Sequence, residues 1–342
     1  MVFGNLSTGY WLGAAAAAGL HWQELGRTTL GSGSTTIDVT SLAAKPYLMV
    51  IGHLLNSSSG NLVVNFNNDT GSNYIDRRSE NGGSDVTTTA RTNTIFSDAN
   101  GAEFFTVGNI INESGQEKLM LNRMTDMNSS GAGTAPDRWE TANKWANISN
   151  SISSFKATCN QTMATGSEVV VLGYDPADTE GGSVWEELKS VELGSNGTLD
   201  TGSFTAKKYL WVQIMVKKTS ATSTHGIVFN NDTGSNYSRR RSQDGGSEQT
   251  RTAQSAIYGA SDNTNWNSIQ MFIINKSDKE KLIIYEDNGI TATGAGNAPG
   301  RTEMAAKWAN TSAQISSIKV VNHDGTAYTA DSGSSIQVWG FD

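Results

Sequence analysis

Asn67, Asp69, Thr70 and Asn73 place several oxygen-bearing side chains in one short loop, the raw material of a calcium site. The loop holds a single carboxylate, and neither the alternating Asp spacing nor a closing bidentate Glu follows. Its residues suit a turn better: Asn68 and Asp69 start it, Gly71 supplies a positive φ, and Asp69 is within sequence reach of Arg77 or Arg78 for an ion pair. We therefore expect no metal at residues 66–74, nor at the second copy of the loop, residues 229–237. Catalysis finds little footing. His21, His53, His225 and His323 fall in no metalloprotease or serine-hydrolase motif, and Cys159 is the single cysteine. The Gly-Ala-Gly stretches at Gly131 and Gly294 lack the Gly-Lys-Ser/Thr ending of a phosphate loop. No catalytic residue and no cofactor is expected.

The loop matters for another reason, because Phe66–Tyr74 returns letter for letter as Phe229–Tyr237 at an offset of 163 positions (229 − 66). The offset links Trp22 to Trp185, Gly82-Gly83-Ser84 to Gly245-Gly246-Ser247, Asn112 to Asn275 and Lys144-Trp145 to Lys307-Trp308. It slips to 162 at Tyr47 and Tyr209, and reaches 167 at Gly173 and Gly340. A repeat this long is a domain rather than a solenoid unit. The expected organisation is an N-terminal arm (1–21), a first domain (22–175), a linker (176–184) and a second domain (185–342).

Composition sets the fold class. Of 342 residues, 37% are hydrophobic and only 17% are charged, with Gly, Ser, Thr and Asn filling the difference. Such a chain makes short strands and many turns. Strand signals recur at matched places: Tyr47–Leu55 with Tyr209–Val216, Leu62–Phe66 with Gly226–Phe229, Phe104–Ile111 with Ile269–Ile274, and Lys118–Met124 with Lys281–Tyr285. Ile152–Thr158 with Ile315–Val321 and Glu168–Tyr174 with Ser335–Phe341 complete the paired set, and Trp22–Leu30 and Ile37–Val39 open the first copy. The expectation is an all-β chain of two tandem antiparallel sandwiches, with one short helix per copy at Arg138–Asn147 and Arg301–Asn310.

A net charge of −8 disfavours nucleic acid, which needs a basic surface to release counterions. No apolar run is long enough to span a bilayer, and no Lys or Arg precedes Arg27, so residues 1–21 read as an arm rather than a leader. Trp145 and Trp308 repeat faithfully and read as core. Trp211 and Trp266 lack an aromatic counterpart and are candidates for surface binding, and Tyr10, Trp11 and Leu12 for an assembly contact through the arm.

The matched residues have a recognisable order: a Trp-x-x-Leu-Gly opening, a Tyr-Leu strand, the Phe-Asn-Asn-Asp-Thr-Gly-Ser-Asn-Tyr loop, a Gly-Gly-Ser turn, Lys-Trp-Ala-Asn, and a Gly-Tyr/Phe-Asp close. It resembles a β-sandwich, jelly-roll-like module of tailed-bacteriophage virion proteins. The resemblance implies a structural protein without catalytic residues on the surface of a phage particle, made in the host cytoplasm: a capsid decoration, head fibre or tail-fibre component. It implies other virion proteins and further copies of the chain as partners, with a host surface glycan as an additional one. A secreted or cell-surface carbohydrate-binding adhesin is the alternative from the residues alone.

Overall fold

The computed structural model describes residues 21–56, 60–99, 101–178, 182–219, 224–259 and 265–342. The arm residues Tyr10, Trp11 and Leu12 lie outside them. Repeat 1 contains β1 (Gln23–Thr29), β2 (Ser34–Val39), β3 (Tyr47–Leu55), β4 (Gly60–Phe66), β5 (Tyr74–Glu80), β6 (Val86–Arg91), β7 (Thr94–Ala99), β8 (Glu103–Ile111), β9 (Lys118–Asp126), β10 (Asp137–Trp145), β11 (Phe155–Met163) and β12 (Glu168–Tyr174). Repeat 2 contains β13 (Glu186–Glu192), β14 (Tyr209–Val216), β15 (His225–Phe229), β16 (Tyr237–Gln243), β17 (Gln249–Gln254), β18 (Asn267–Ile274), β19 (Lys281–Gly289), β20 (Gly300–Trp308), β21 (Ile318–Asn322) and β22 (Ser335–Phe341). The protein is all-β, in two antiparallel sandwiches.

Each repeat pairs a broad sheet with a narrow one. The broad sheets run β1-β12-β3-β8-β9-β10-β5-β6 and β13-β22-β14-β18-β19-β20-β16-β17, the same order strand for strand. The narrow sheet is β2-β11-β4-β7 in repeat 1 and shrinks to β15-β21 in repeat 2, where single bridges at Asp200–Lys319 and Ile227–Ile257 replace the flanking strands. Strand alternation divides the side chains between two faces. In β12, Val169 and Val171 point into the sandwich with Leu62, Phe66 and Phe155, while Val170 and Leu172 point out of it.

The helices expected at Arg138–Asn147 and Arg301–Asn310 are instead strands β10 and β20. β10 is hydrogen-bonded on both sides, to β9 and β5, and buries Trp139, Thr141, Asn143 and Trp145 on one face, a period of two that overrides the Ala and Lys content. The ion pair expected between Asp69 and Arg77 or Arg78 is absent: Arg78 meets buried Asp76 at 3.0 Å and Arg77 approaches Asp85 at 3.8 Å. Nor does Gly71 carry the positive φ. Asn67 and Asn68 do, at 53° and 54°, closing a turn in which the Asp69 N–H donates to the Phe66 carbonyl at 2.9 Å. Gly71 is needed for space, since a Cβ there would sit 2.7 Å from Asn73 Nδ2.

Candidate functional site

The repeated loop is a latch around one carboxylate. Asp69 Oδ2 accepts the Trp145 indole N–H at 2.7 Å and the Asn73 amide at 2.9 Å, and Oδ1 accepts the Gly71 N–H at 2.8 Å. Asp232 repeats the set with Trp308, Asn236 and Gly234. Burial pushes both carboxyls up, but these hydrogen bonds outweigh it and hold them below the ordinary carboxylate range. Beneath each carboxylate a buried tyrosine, Tyr74 or Tyr237, accepts the N–H of Phe66 or Phe229 on its hydroxyl. Burial moves the Tyr74 hydroxyl to about 12. Asp232→Asn should therefore lower stability by about 1–3 kcal/mol, because the amide replaces acceptor capacity that three donors use. Thermal melts should show the loss equally with and without added calcium; calcium-dependent stabilisation of the wild type would mean the loop binds the ion after all. Among the described residues no group of three or more His, Cys, Asp and Glu is placed to hold a metal.

The histidines do not converge. His53 is buried in repeat 1 with Nε2 2.8 Å from Glu103; burial lowers its pKa despite that carboxylate. His225 lies in repeat 2, 3.5 Å from Asp287, and His323 packs edge-on against Tyr258. Trp211 is half-buried, stacked on Phe272 and tilted against Trp339, and Trp266 lies under the Lys217 ammonium at 6.0 Å. Neither stands free as an open aromatic platform.

A further candidate site is a sheet face. The outer faces of the two broad sheets meet, and Met49, Ile51, Phe105, Val107, Val170 and Leu172 of repeat 1 pack on Trp185, Tyr209, Phe272, Ile274, Leu282, Ile284 and Phe341 of repeat 2. Call the first set the plug and the second the socket. The contact is close to a pseudo-two-fold. Arg123 pairs with Glu286, its own repeat counterpart, and the Val184 N–H donates to the Trp22 carbonyl at 2.8 Å although Val184 corresponds to His21 beside it. A small cavity at the centre is lined by Val107, Asn109, Leu121 and Arg123 together with their four counterparts Gln270, Phe272, Ile284 and Glu286.

A two-fold contact should bury two plugs in two sockets. Only one is buried. The repeat 1 counterparts of the socket, Trp22, Tyr47, Asn109, Ile111, Leu119, Leu121 and Tyr174, line an open groove of about 760 Å³. Leu119 is 52% exposed where Leu282 is 0%, and Leu121 is 64% exposed where Ile284 is 6%. The cause lies in the other plug. Ile51, Phe105, Val107 and Val170 correspond to Gln213, Ser268, Gln270 and Gln337, while Met49 and Leu172 correspond to Trp211 and Trp339, whose rings pack on Phe272 and on each other, so the mirror face of repeat 2 has little aliphatic surface with which to close the groove.

Polar contacts follow the same asymmetry. The loop after β9 lies on repeat 2: the Lys307 ammonium donates to the Met127 carbonyl at 3.1 Å and to that of Ser129, the Ser238 hydroxyl to Thr134 at 2.9 Å, and Arg240 Nε to Pro136 at 2.9 Å. Arg138 reaches Glu140, Glu248 at 3.0 Å and Glu303 at 3.2 Å. The matching loop of repeat 2, residues 291–299, is solvent-exposed throughout. The Gly-Ala-Gly stretch of repeat 1 is thus an inter-repeat contact: the Gly131 N–H donates to Glu280 and the Ala132 carbonyl accepts the Ala253 N–H at 2.8 Å.

At the pseudo-axis, where a true homodimer would oppose like charges, the fused chain carries Arg123 against Glu286. Arg123→Glu should cost about 0.2–1 kcal/mol plus a like-charge repulsion of similar size, and adding Glu286→Arg should restore most of it. Urea denaturation of the four chains in that cycle measures the coupling; a coupling near zero would mean solvent screens the pair.

No family model matches the chain, and no curated protein does. Among solved structures, the mouse laminin alpha1 chain, domains LG4-5, aligns over 95% of this chain and 92% of that chain, at 12% identity and a TM-score of 0.21. A likeness that weak supports no statement about what this chain binds.

Proposed function

We propose that this chain is a non-catalytic structural subunit on the surface of a phage particle, a capsid decoration, head-fibre or tail-associated protein that works by stacking sheet faces. The observation that supports it best is how its repeats join. The broad sheet uses one face to close its own sandwich and the other, apolar in repeat 1, to dock a second sandwich. A module built this way assembles laterally, and its perturbed carboxyls at Asp69, Asp232 and Glu168 are engaged in holding turns and the inter-repeat seam together. The order of matched residues from Trp22 to Asp175, repeated from Trp185 to Asp342, supplies the phage context. Mass spectrometry of purified virions should find the chain in stoichiometric amount with the other surface proteins; its absence from particles would sink the reading. Sedimentation of the purified chain gives the number of copies in the assembled unit.

A further inference from the structure

We propose that residues 1–20 of the same molecule fill the open groove of repeat 1. The groove is a socket by descent: its counterpart in repeat 2 is closed by aliphatic and aromatic side chains, which shows the chemistry that fits it. The mirror face of repeat 2 offers Gln213, Gln270 and Gln337 instead, its Trp211 and Trp339 being packed on Phe272 and on each other, and leaves Ile111, Leu119 and Leu121 exposed. Trp22 forms part of the groove wall, so the chain upstream of it emerges at the site itself. That upstream segment carries no Asp, Glu, Lys or Arg and contains Phe3, Leu6, Tyr10, Trp11 and Leu12, so it can be laid on an apolar surface without burying a charge. Distance is no obstacle. From β1 to β9 is four strand spacings, about 19 Å. The ten or so residues between Trp11 and Trp22 span up to about 35 Å when extended. Tyr10, Trp11 and Leu12 then serve as the plug that repeat 2 lacks.

This occupancy is a property of the isolated chain and does not depend on the virion reading. The test places a photo-cross-linker in the groove of the full chain, as Leu121→p-benzoylphenylalanine, and in a second preparation as Tyr47→p-benzoylphenylalanine in case the first disturbs folding. Light and nitrogen-15-labelled chains are mixed, irradiated, digested and sequenced by mass spectrometry. The expected result is cross-links from either position to peptides of residues 1–20 within one isotopic form, lost when Tyr10, Trp11 and Leu12 are all changed to serine. Cross-links joining light to heavy chains would overturn the proposal in favour of a second copy. Links to any other segment, or a folded chain that gives none, would overturn it as well. Cross-linking to residues 1–20 in a protein absent from virions would defeat only the assembly reading.

Discussion

In a chain whose Tyr10, Trp11 and Leu12 are changed to serine, so that nothing fills the groove, Leu282→Ala will cost about 2–5 kcal/mol, whereas Leu119→Ala, the same change at the same place in the other repeat, will cost no more than about 1 kcal/mol. Both leucines are second in their strands, both point out of their own sandwich, and both neighbour a buried lysine, Lys281 or Lys118. The difference is cover. Leu282 is fully enclosed by the plug of repeat 1, so truncation leaves a cavity that a close-packed seam cannot collapse. Leu119 faces the groove and, with the arm's plug residues replaced by serine, has little packing to lose. Urea unfolding of the two variants and their parent, all in that serine background, provides the measurement. Equal losses would show that the two socket faces are covered alike and that the asymmetry of the seam is wrong. Phe105, which stacks on Tyr209 with ring centroids 6.4 Å apart, allows the same comparison from the plug side, against Ser268.

The repeat was the most legible feature of the sequence, and it carried the fold class with it. Strands with a continuous apolar inner face, such as Tyr47–Leu55, Tyr209–Val216 and Glu168–Tyr174, coincide with β3, β14 and β12 to the residue. Strands β5, β6, β16 and β17 escaped notice because their pattern is charged and hydroxyl-rich: Tyr74–Glu80 buries Tyr74 and Asp76, not a hydrophobic stripe, and Gln249–Gln254 has no buried residue at all. β10 and β20 look helical in sequence because Ala142, Lys144, Ala305 and Lys307 favour helix locally, while pairing on both edges decides the outcome. The seam between repeats was hidden for a different reason. Both copies keep the socket residues apolar except at Asn109, which stands where repeat 2 has Phe272, so comparing Trp22 with Trp185 or Leu119 with Leu282 gives no hint that one is buried and the other bare. The distinguishing signal sits at the alternate outward positions, where Ile51, Phe105, Val107 and Val170 face Gln213, Ser268, Gln270 and Gln337 in alignment. The latch residues show the converse: Asp69, Asn73 and Trp145 are far apart or polar in ways that suggest a ligand, yet their partners are each other.

Glu168→Ala should be the most damaging single change at the seam, lowering stability by about 3–5 kcal/mol. Its carboxylate is almost wholly buried and receives four donors from both repeats: Arg27 at 3.1 Å, the Thr29 hydroxyl, the Lys208 ammonium at 2.6 Å and the Tyr209 hydroxyl at 2.7 Å. Removing it leaves Lys208 and Tyr209 without the acceptor that compensates their burial, and burial already lowers the Lys208 pKa and raises that of Tyr209. Glu168→Gln keeps the shape but not the charge, and should fall between wild type and alanine. The pH dependence separates the charge from the shape. Burial pushes the Glu168 carboxyl up, yet the hydrogen bonds from Lys208, Thr29 and Tyr209 prevail and hold it below its ordinary value of 4.5. A carboxyl depressed in the folded state contributes its full stability above the unfolded value and loses it as pH falls through the folded one. Wild type should therefore lose stability over Glu168→Gln as pH drops below about 4.5, and the two should converge at the acid end. Parallel curves from pH 6 to pH 3 would mean that the Glu168 carboxyl titrates alike in the folded and unfolded chains, and a wild type that gains on Glu168→Gln as pH falls would mean that it is held protonated when folded.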